Sequence, residues 1–256
     1  MTPLQNPQLE SLAQHLAKAQ NEAVLMPAPL KAQIPADANE AYSVQHRVLA
    51  LRGQAIAGWK VGAKTSDGPI QGAPLPACGV LPTSSRLSLS RMATLGLELE
   101  VAFSLNRTFE ARPEPYGDAE VWGSIGSVMA TIEVVGSRLP DWSASAKLIQ
   151  LADMQNHSAL VVGQAVPYSP DMVLEPVHLQ FEFEGYIVAS GPCLNPAGDP
   201  RRLLPWLVNH ACARGLSVTP DQVLTAGSYT GLYATQARGQ ARGEIQGLPP
   251  VSLTLV

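Results

Sequence analysis

Glu98 and Glu100 stand two residues apart in Gly96-Leu97-Glu98-Leu99-Glu100-Val101-Ala102-Phe103, a strict alternation of apolar and other residues. In a strand that spacing puts both carboxylates on one face and Leu97, Leu99, Val101 and Phe103 on the other. Two residues of rise separate the glutamates by ~6.6 Å at the backbone. At an effective dielectric near 20, two charges so placed repel by roughly 2–3 kcal/mol. A cation between them removes that cost, and an all-oxygen ligand set selects Mg²⁺, Mn²⁺ or Ca²⁺ over zinc. The same pattern also fits the wet face of a half-buried antiparallel strand. Gly96 and Ala102 continue the face, and the expectation is open space above the sheet there, which favours a site.

Glu133 is the next candidate, in Thr131-Ile132-Glu133-Val134-Val135. A carboxylate in such an apolar stretch is costly unless it is paired, so it is either a third ligand or one half of a salt bridge, with Arg138 as a candidate partner. Lys60 lies in Gly58-Trp59-Lys60-Val61-Gly62. The glycines allow close backbone approach, and a lysine beside Trp59 that is partly removed from water has a lowered pKa and can move protons. The alternative is a strand lysine whose head reaches solvent.

The elements that must position these residues follow from periodicity. Leu12, Leu16 and Ala19 predict a helix over 9–24, and Ala41, Val44, Val48 and Leu51 predict another over 36–51 that ends at Gly53. These helices read as a small N-terminal subdomain, 1–53, ahead of a catalytic domain, 54–256. Residues 55–63 read as a strand and 65–82 as a loop rich in Gly, Pro and Ser. A helix capped by Asp118 is expected over 118–130, then a strand over 131–135. Strands at 178–183 and 186–189 flank Glu184-Gly185 as a hairpin. A helix over 200–214, with Pro205 in its early turns, precedes strands at 223–226, 240–245 and 251–256. The sum is an α+β protein with a mostly antiparallel sheet.

Composition narrows the class. The chain has 256 residues, 46% of them hydrophobic and 15% charged, as in a compact soluble protein. Its net charge of -4 and the lack of any Lys/Arg-rich run argue against nucleic acid or an anionic membrane as partner. Cys78, Cys193 and Cys212 lie far apart with no paired spacing, which suits a reducing compartment. With neither a signal peptide nor an apolar run of the ~20 residues that a membrane span needs, a cytoplasmic protein is expected.

Three stretches together resemble the fumarylacetoacetate hydrolase superfamily. They are Gly58-Trp59-Lys60-Val61-Gly62-Ala63-Lys64-Thr65, then Leu97 to Phe103, then Ile132-Glu133-Val134-Val135-Gly136-Ser137-Arg138-Leu139-Pro140-Asp141-Trp142. Ala152-Asp153 and Leu224-Thr225-Ala226-Gly227-Ser228-Tyr229-Thr230-Gly231 match later motifs in the right order. The nearest branch is that of the 2-oxopent-4-enoate hydratases and 2-oxo-3-hexenedioate decarboxylases, and the likeness runs from about Ala41 onward. It implies a mixed, largely antiparallel β-roll behind a small helical N-terminal part. It also implies Mg²⁺ or Mn²⁺ on Glu98, Glu100 and Glu133, a small 2-oxo acid as substrate, and self-association into homo-oligomers. Lys60 matches the family's lysine, a proton-transfer or enolate-holding residue. Asp153 is expected to orient Lys60 or cap a helix, and Thr65 and Ser228 to line the pocket.

The chain departs from that pattern where water is activated. Pro74-Leu75-Pro76-Ala77-Cys78-Gly79 lacks the acidic residue usual in the hydratases, and the family's Asp-Asn pair is here Asp153-Met154, with His157 close behind as a substitute acid/base candidate. The first functional expectation is a hydro-lyase adding water to a 2-hydroxy-2,4-dienoate to give a 4-hydroxy-2-oxo acid. Alternatives are a 2-oxo-3-enedioate decarboxylase, which needs no activated water, an acylpyruvate C–C hydrolase, and a non-catalytic partner subunit.

Overall fold

The computed structural model describes residues 2–89 and 94–256. Two helices come first. Asn6 caps α1 (Pro7–Glu22) by accepting from the Gln8 amide, and Asp37 caps α2 (Ala38–Arg52) by accepting from the Glu40 amide. Gly53, at φ 60°, closes α2 in the left-handed region. Leu12, Leu16, Val44 and Val48 bury the facing stripes of these helices, and Ile149 and Leu151 of a later short helix share that cluster.

The remainder is built on two sheets. In the larger, β1 (Ile56–Gly62), β2 (Gln71–Pro76), β3 (Val80–Pro82), β5 (Thr94–Leu105), β6 (Ile125–Gly136), β7 (His157–Val162) and β11 (Val223–Ser228) run in the order β2-β1-β11-β5-β6-β7-β3, and β8 (Val166–Pro167) pairs with β6. In the smaller, β4 (Ser85–Leu87), β9 (Val177–Phe183), β10 (Tyr186–Cys193), β12 (Gly239–Ile245) and β13 (Val251–Leu255) run in the order β10-β9-β12-β13-β4. Parallel pairs β1–β11, β3–β7 and β4–β13 interrupt an otherwise antiparallel arrangement. This is an α+β fold: a curled, mixed sheet with a smaller helical part.

One continuous core joins the sheets. Leu97, Leu99, Val101 and Phe103 of β5 and Ile132 and Val134 of β6 meet Phe181, Ala241, Val251 and Leu253 of the smaller sheet. Strand alternation then forces Glu98 and Glu100 onto the opposite face. The hairpin at Glu184-Gly185 forms with both residues at positive φ, 51° and 78°, as a two-residue turn requires.

Three local expectations are corrected. Residues 65–82 hold two strands as well as a loop; β2 tolerates Pro74 and Pro76 because it is an edge strand, where a missing N–H costs no ladder bond. The helix expected over 118–130 is only α3 (Asp118–Trp122), with Gly117 at its N-cap. It stops at Gly123, because residues from Ile125 onward pair with β5 along its whole length. Gly96 does not leave open space: a β-carbon there would sit 2.2 Å from the Tyr233 carbonyl oxygen, so the glycine admits a covering segment. The other helices are α4 (Lys147–Ala152) and α5 (Leu203–Cys212), the latter entered through a 3₁₀ turn at Pro200–Arg202.

Candidate metal centre and pocket

Four neighbouring strands carry the site on one face. Glu98 and Glu100 of β5 and Glu133 of β6 are placed by the β5–β6 ladder, in which Glu98 is paired with Glu133 and Glu100 with Thr131. Lys60 of β1 is paired with Thr225 of β11, and Ser228 of β11 with Glu100. A register shift between Thr225 and Ser228, with Gly227 at φ 82°, bulges β11 and turns its end toward the pocket. Asn195 clamps the bulge by donating to the carbonyls of Ala226 and Gly227, at 2.8 and 3.1 Å.

One carboxylate oxygen from each of Glu98, Glu100 and Glu133 lies within 4.8 Å of the other two. Glu133 is fully buried, and its Oε1 accepts from Lys60 Nζ at 2.6 Å and from His157 Nδ1 at 3.0 Å. Its Oε2 is buried with no hydrogen-bond partner among the described residues. Glu100 is also buried and accepts a short hydrogen bond from the Thr225 hydroxyl, which is 3.1 Å from the Thr131 hydroxyl. A cavity of about 320 Å³ opens onto the cluster, and Lys60, Ser228 and Gln155 line it with the glutamates.

The charges are poorly matched without a cation. Burial, reinforced by the Glu133 charge and opposed by Lys60, lifts Glu98 to a pKa of about 7. Burial and the charges of Glu133 and Glu98 hold Glu100 well above the usual carboxylate range. Burial works against ionisation of Glu133 as well, but Lys60 and His157 outweigh it and keep it ionised. The lowered pKa expected for Lys60 is corrected: burial opposes its charge, yet Glu133, Glu98 and Glu100 prevail and raise it. Three converging carboxylates, two pushed toward protonation, together with an orphaned buried oxygen fit a hard divalent cation held by oxygen ligands. These residues form a candidate metal-binding cluster.

Other residues singled out by the sequence lie elsewhere. Asp153 is fully buried, accepts from Arg138 Nε at 2.6 Å and from the Arg138 amide at 3.0 Å, and is not in contact with Lys60. Arg138 therefore pairs with Asp153 and leaves Glu133 to Lys60. Thr65 is exposed, donates to Asp67 Oδ1 at 2.9 Å, and lines an adjoining cavity. His157, by contrast, stands directly behind Glu133, and its Nε2 has no partner among the described residues.

Two contributors were not singled out from the sequence. Thr225, a buried hydroxyl within β11, supports Glu100. Gln155 directs its carbonyl to Lys60 Nζ at 3.2 Å from a turn in which Met154, Gln155 and Asn156 all have positive φ, at 51°, 51° and 59°. The presence of Asn156 is consistent with that conformation, but two preceding non-glycine residues give no such signal.

No family model matches the chain. It is 26% identical over 254 residues to the 2-keto-4-pentenoate hydratase of Paraburkholderia phymatum, covering 95% of each protein. It is also 26% identical over 257 residues to the 2-keto-4-pentenoate hydratase of Burkholderia vietnamiensis, covering 96% of this chain and 97% of the relative. Its fold matches that of the 4-oxalocrotonate decarboxylase of Pseudomonas putida G7, solved with magnesium and adipate, at a TM-score of 0.83 over 100% of both chains and 18% identity. Over nearly its whole length the chain is thus similar to 2-keto-4-pentenoate hydratases and shares the fold of a 4-oxalocrotonate decarboxylase, in line with the resemblance of its motifs to the fumarylacetoacetate hydrolase superfamily. Among the described residues, no helix is long and apolar enough to cross a membrane.

Proposed function

We propose that this protein is a Mg²⁺- or Mn²⁺-dependent lyase of unsaturated 2-oxo acids, and that its reaction is decarboxylation of a 2-oxo-3-enedioate. One observation carries the choice of reaction: among the described residues, the only carboxylates lining the metal-facing cavity are the three that would bind the cation. Hydration requires a further group to take a proton from water. Decarboxylation requires only a sink for electrons and a proton donor.

Glu98, Glu100 and Glu133 hold the cation in this reading. Bound there, it supplies Lewis-acid stabilisation of the charge that develops on the 2-oxo oxygen. The bond to the distal carboxylate carbon breaks and carbon dioxide leaves. The electron pair moves through the conjugated alkene to the 2-oxo oxygen, giving a dienolate. Lys60, kept charged by its glutamate neighbours, faces the same space and donates a hydrogen bond or a proton to that oxygen. Ser228 is a hydrogen-bond partner for the substrate in the pocket. Asp153 acts at a distance: it anchors Arg138, which donates to the Asp153 and His157 carbonyls at 2.8 and 2.7 Å and so fixes the ends of the turn that carries Gln155.

The test is carbon dioxide release from 2-oxo-3-hexenedioate by the Mg²⁺-loaded protein, with Lys60→Ala and Glu133→Gln as controls. Release that is absent from wild type under saturating metal overturns the reading. The hydratase reading retains support from the two 26% identical relatives named for that activity. Mg²⁺-dependent loss of the ultraviolet absorbance of 2-hydroxy-2,4-pentadienoate, without release of carbon dioxide from the diacid, would establish it instead.

A further inference from the structure

The metal-facing cavity adjoins a second one of about 360 Å³, and Lys64, Pro69, Gln71 and Gln155 stand on the walls of both. The second cavity is lined by two lysines, Lys64 and Lys147, and by the amides of Gln71, Gln150, Gln155 and Asn156, with no Asp or Glu lining it among the described residues. The protein as a whole carries more acids than bases, 21 against 17, so an acid-free wall with two ammonium groups runs against its own composition. Among the described residues, neither ammonium has a carboxylate within ion-pair distance. Lys60, by contrast, is held by Glu133 and is committed to the metal side.

We propose that the second cavity is a subsite for an anionic group at the far end of the substrate, with Lys64 and Lys147 as its receptors. The subsite makes the enzyme select 2-oxo diacids over 2-oxo monoacids. Its location next to the metal-facing cavity gives one extended molecule access to both: the 2-oxo acid end at the glutamates, the second carboxylate at the lysines. The inference rests on the 2-oxo acid reading of the metal pocket. Lys64 and Lys147 are specificity residues with no part in bond breaking. An ion pair to a carboxylate that departs as neutral carbon dioxide is lost during the reaction, so it strengthens substrate binding and not the transition state. Both side chains are exposed, and their attraction is correspondingly modest and sensitive to salt.

Calorimetric titration of the Mg²⁺-loaded protein with three probes tests this. Oxalate reports the metal pocket alone, 2-oxohexanoate adds a neutral tail, and 2-oxoadipate adds a distal carboxylate on a chain of the same length. Wild type is expected to prefer 2-oxoadipate over 2-oxohexanoate by about five- to tenfold, as two exposed ion pairs allow. The double variant Lys64→Met/Lys147→Met is expected to lose that preference; Lys147→Met, whose residue lines the second cavity alone, is expected to lose part of it and to keep its affinity for oxalate, which also reports that it is folded. In turnover of the diacid, the double variant raises KM. Wild type that binds oxalate but does not prefer the diacid overturns the subsite, as does a double variant that retains the preference. Failure of wild type to bind oxalate in a Mg²⁺-dependent way overturns the 2-oxo acid reading itself, and the subsite with it.

Discussion

Glu98 stands directly opposite Glu133 across the β5–β6 ladder, two acids in one cross-strand pair lining the metal-facing cavity. Like charges so placed destabilise a sheet unless something between them changes the balance. The two differ in what else they touch. Glu133 is bound by Lys60 and His157, whereas Glu98 has the charge of Glu133 to contend with and only Lys60 in its favour.

Opposite effects on the metal-free protein follow from that difference. Glu98→Gln removes a repelled charge and is expected to raise Tm in the presence of a chelator. Glu133→Gln strips the largely buried Lys60 ammonium of its nearest counter-charge and is expected to cost up to about 3–5 kcal/mol, the scale for breaking one side of a buried ion pair. Both variants are expected to lower Mn²⁺ affinity at least tenfold, measured from the free-ion signal in electron paramagnetic resonance. Thermal melts with and without Mg²⁺ complete the check: the ion should stabilise wild type more than either variant.

The pH dependence has a fixed sign in each state. Glu98 titrates near 7 in the folded, metal-free protein and near 4.5 when unfolded, and Glu100 is displaced in the same direction. The folded state therefore holds more protons between those values, so metal-free stability falls as pH rises from about 4.5 to 7. Metal binding has the reverse slope, because the proton competes with the cation: Mn²⁺ affinity is expected to rise from pH 6 to pH 8. Glu98→Gln should flatten both curves, read by denaturant melts and by metal titration at a series of pH values.

The metal half of this site was legible in the sequence because strand periodicity is a local property. Alternation alone places Glu98 and Glu100 together, and an acid in an apolar run draws attention to Glu133. What surrounds them depends on contacts across long separations. Nothing near Glu133 announces that its partner is Lys60, 73 residues away, and not the nearer Arg138. Gly96 illustrates the same limit, since a small residue on a strand face can mark an opening or a covering, and here Tyr233 covers it. The end of α3 was missed because pairing of β6 with β5 overrides a helical pattern beyond Gly123.

Arg138 and Asp153 form a buried pair whose removal should unsettle the site from behind. Asp153→Asn keeps the shape but leaves the Arg138 guanidinium without its counter-charge, at an expected cost of about 3–5 kcal/mol in urea denaturation. Removing both charges together, as in Asp153→Asn/Arg138→Met, is expected to cost less than the sum of the single changes, because no unpaired charge remains. Costs that simply add would mean that the two groups do not depend on each other.

Gln155 holds Lys60 from a left-handed turn, and its contact uses the backbone carbonyl. A non-glycine residue in that conformation costs roughly 1–2 kcal/mol relative to the right-handed region. Gln155→Gly relieves the strain, and the flexibility that glycine adds to the unfolded chain offsets about 0.5–1 kcal/mol of the gain. A net stabilisation of up to about 1 kcal/mol is therefore expected, with Mg²⁺ binding retained because the carbonyl remains. Gln155→Val is the informative contrast: a β-branched residue fits the left-handed region worst, so the turn should move and carry the carbonyl away from Lys60. The expected readout is lower stability together with a lowered kcat that Gln155→Gly does not share. Equal kcat for the two variants would mean that the turn plays no part in positioning Lys60.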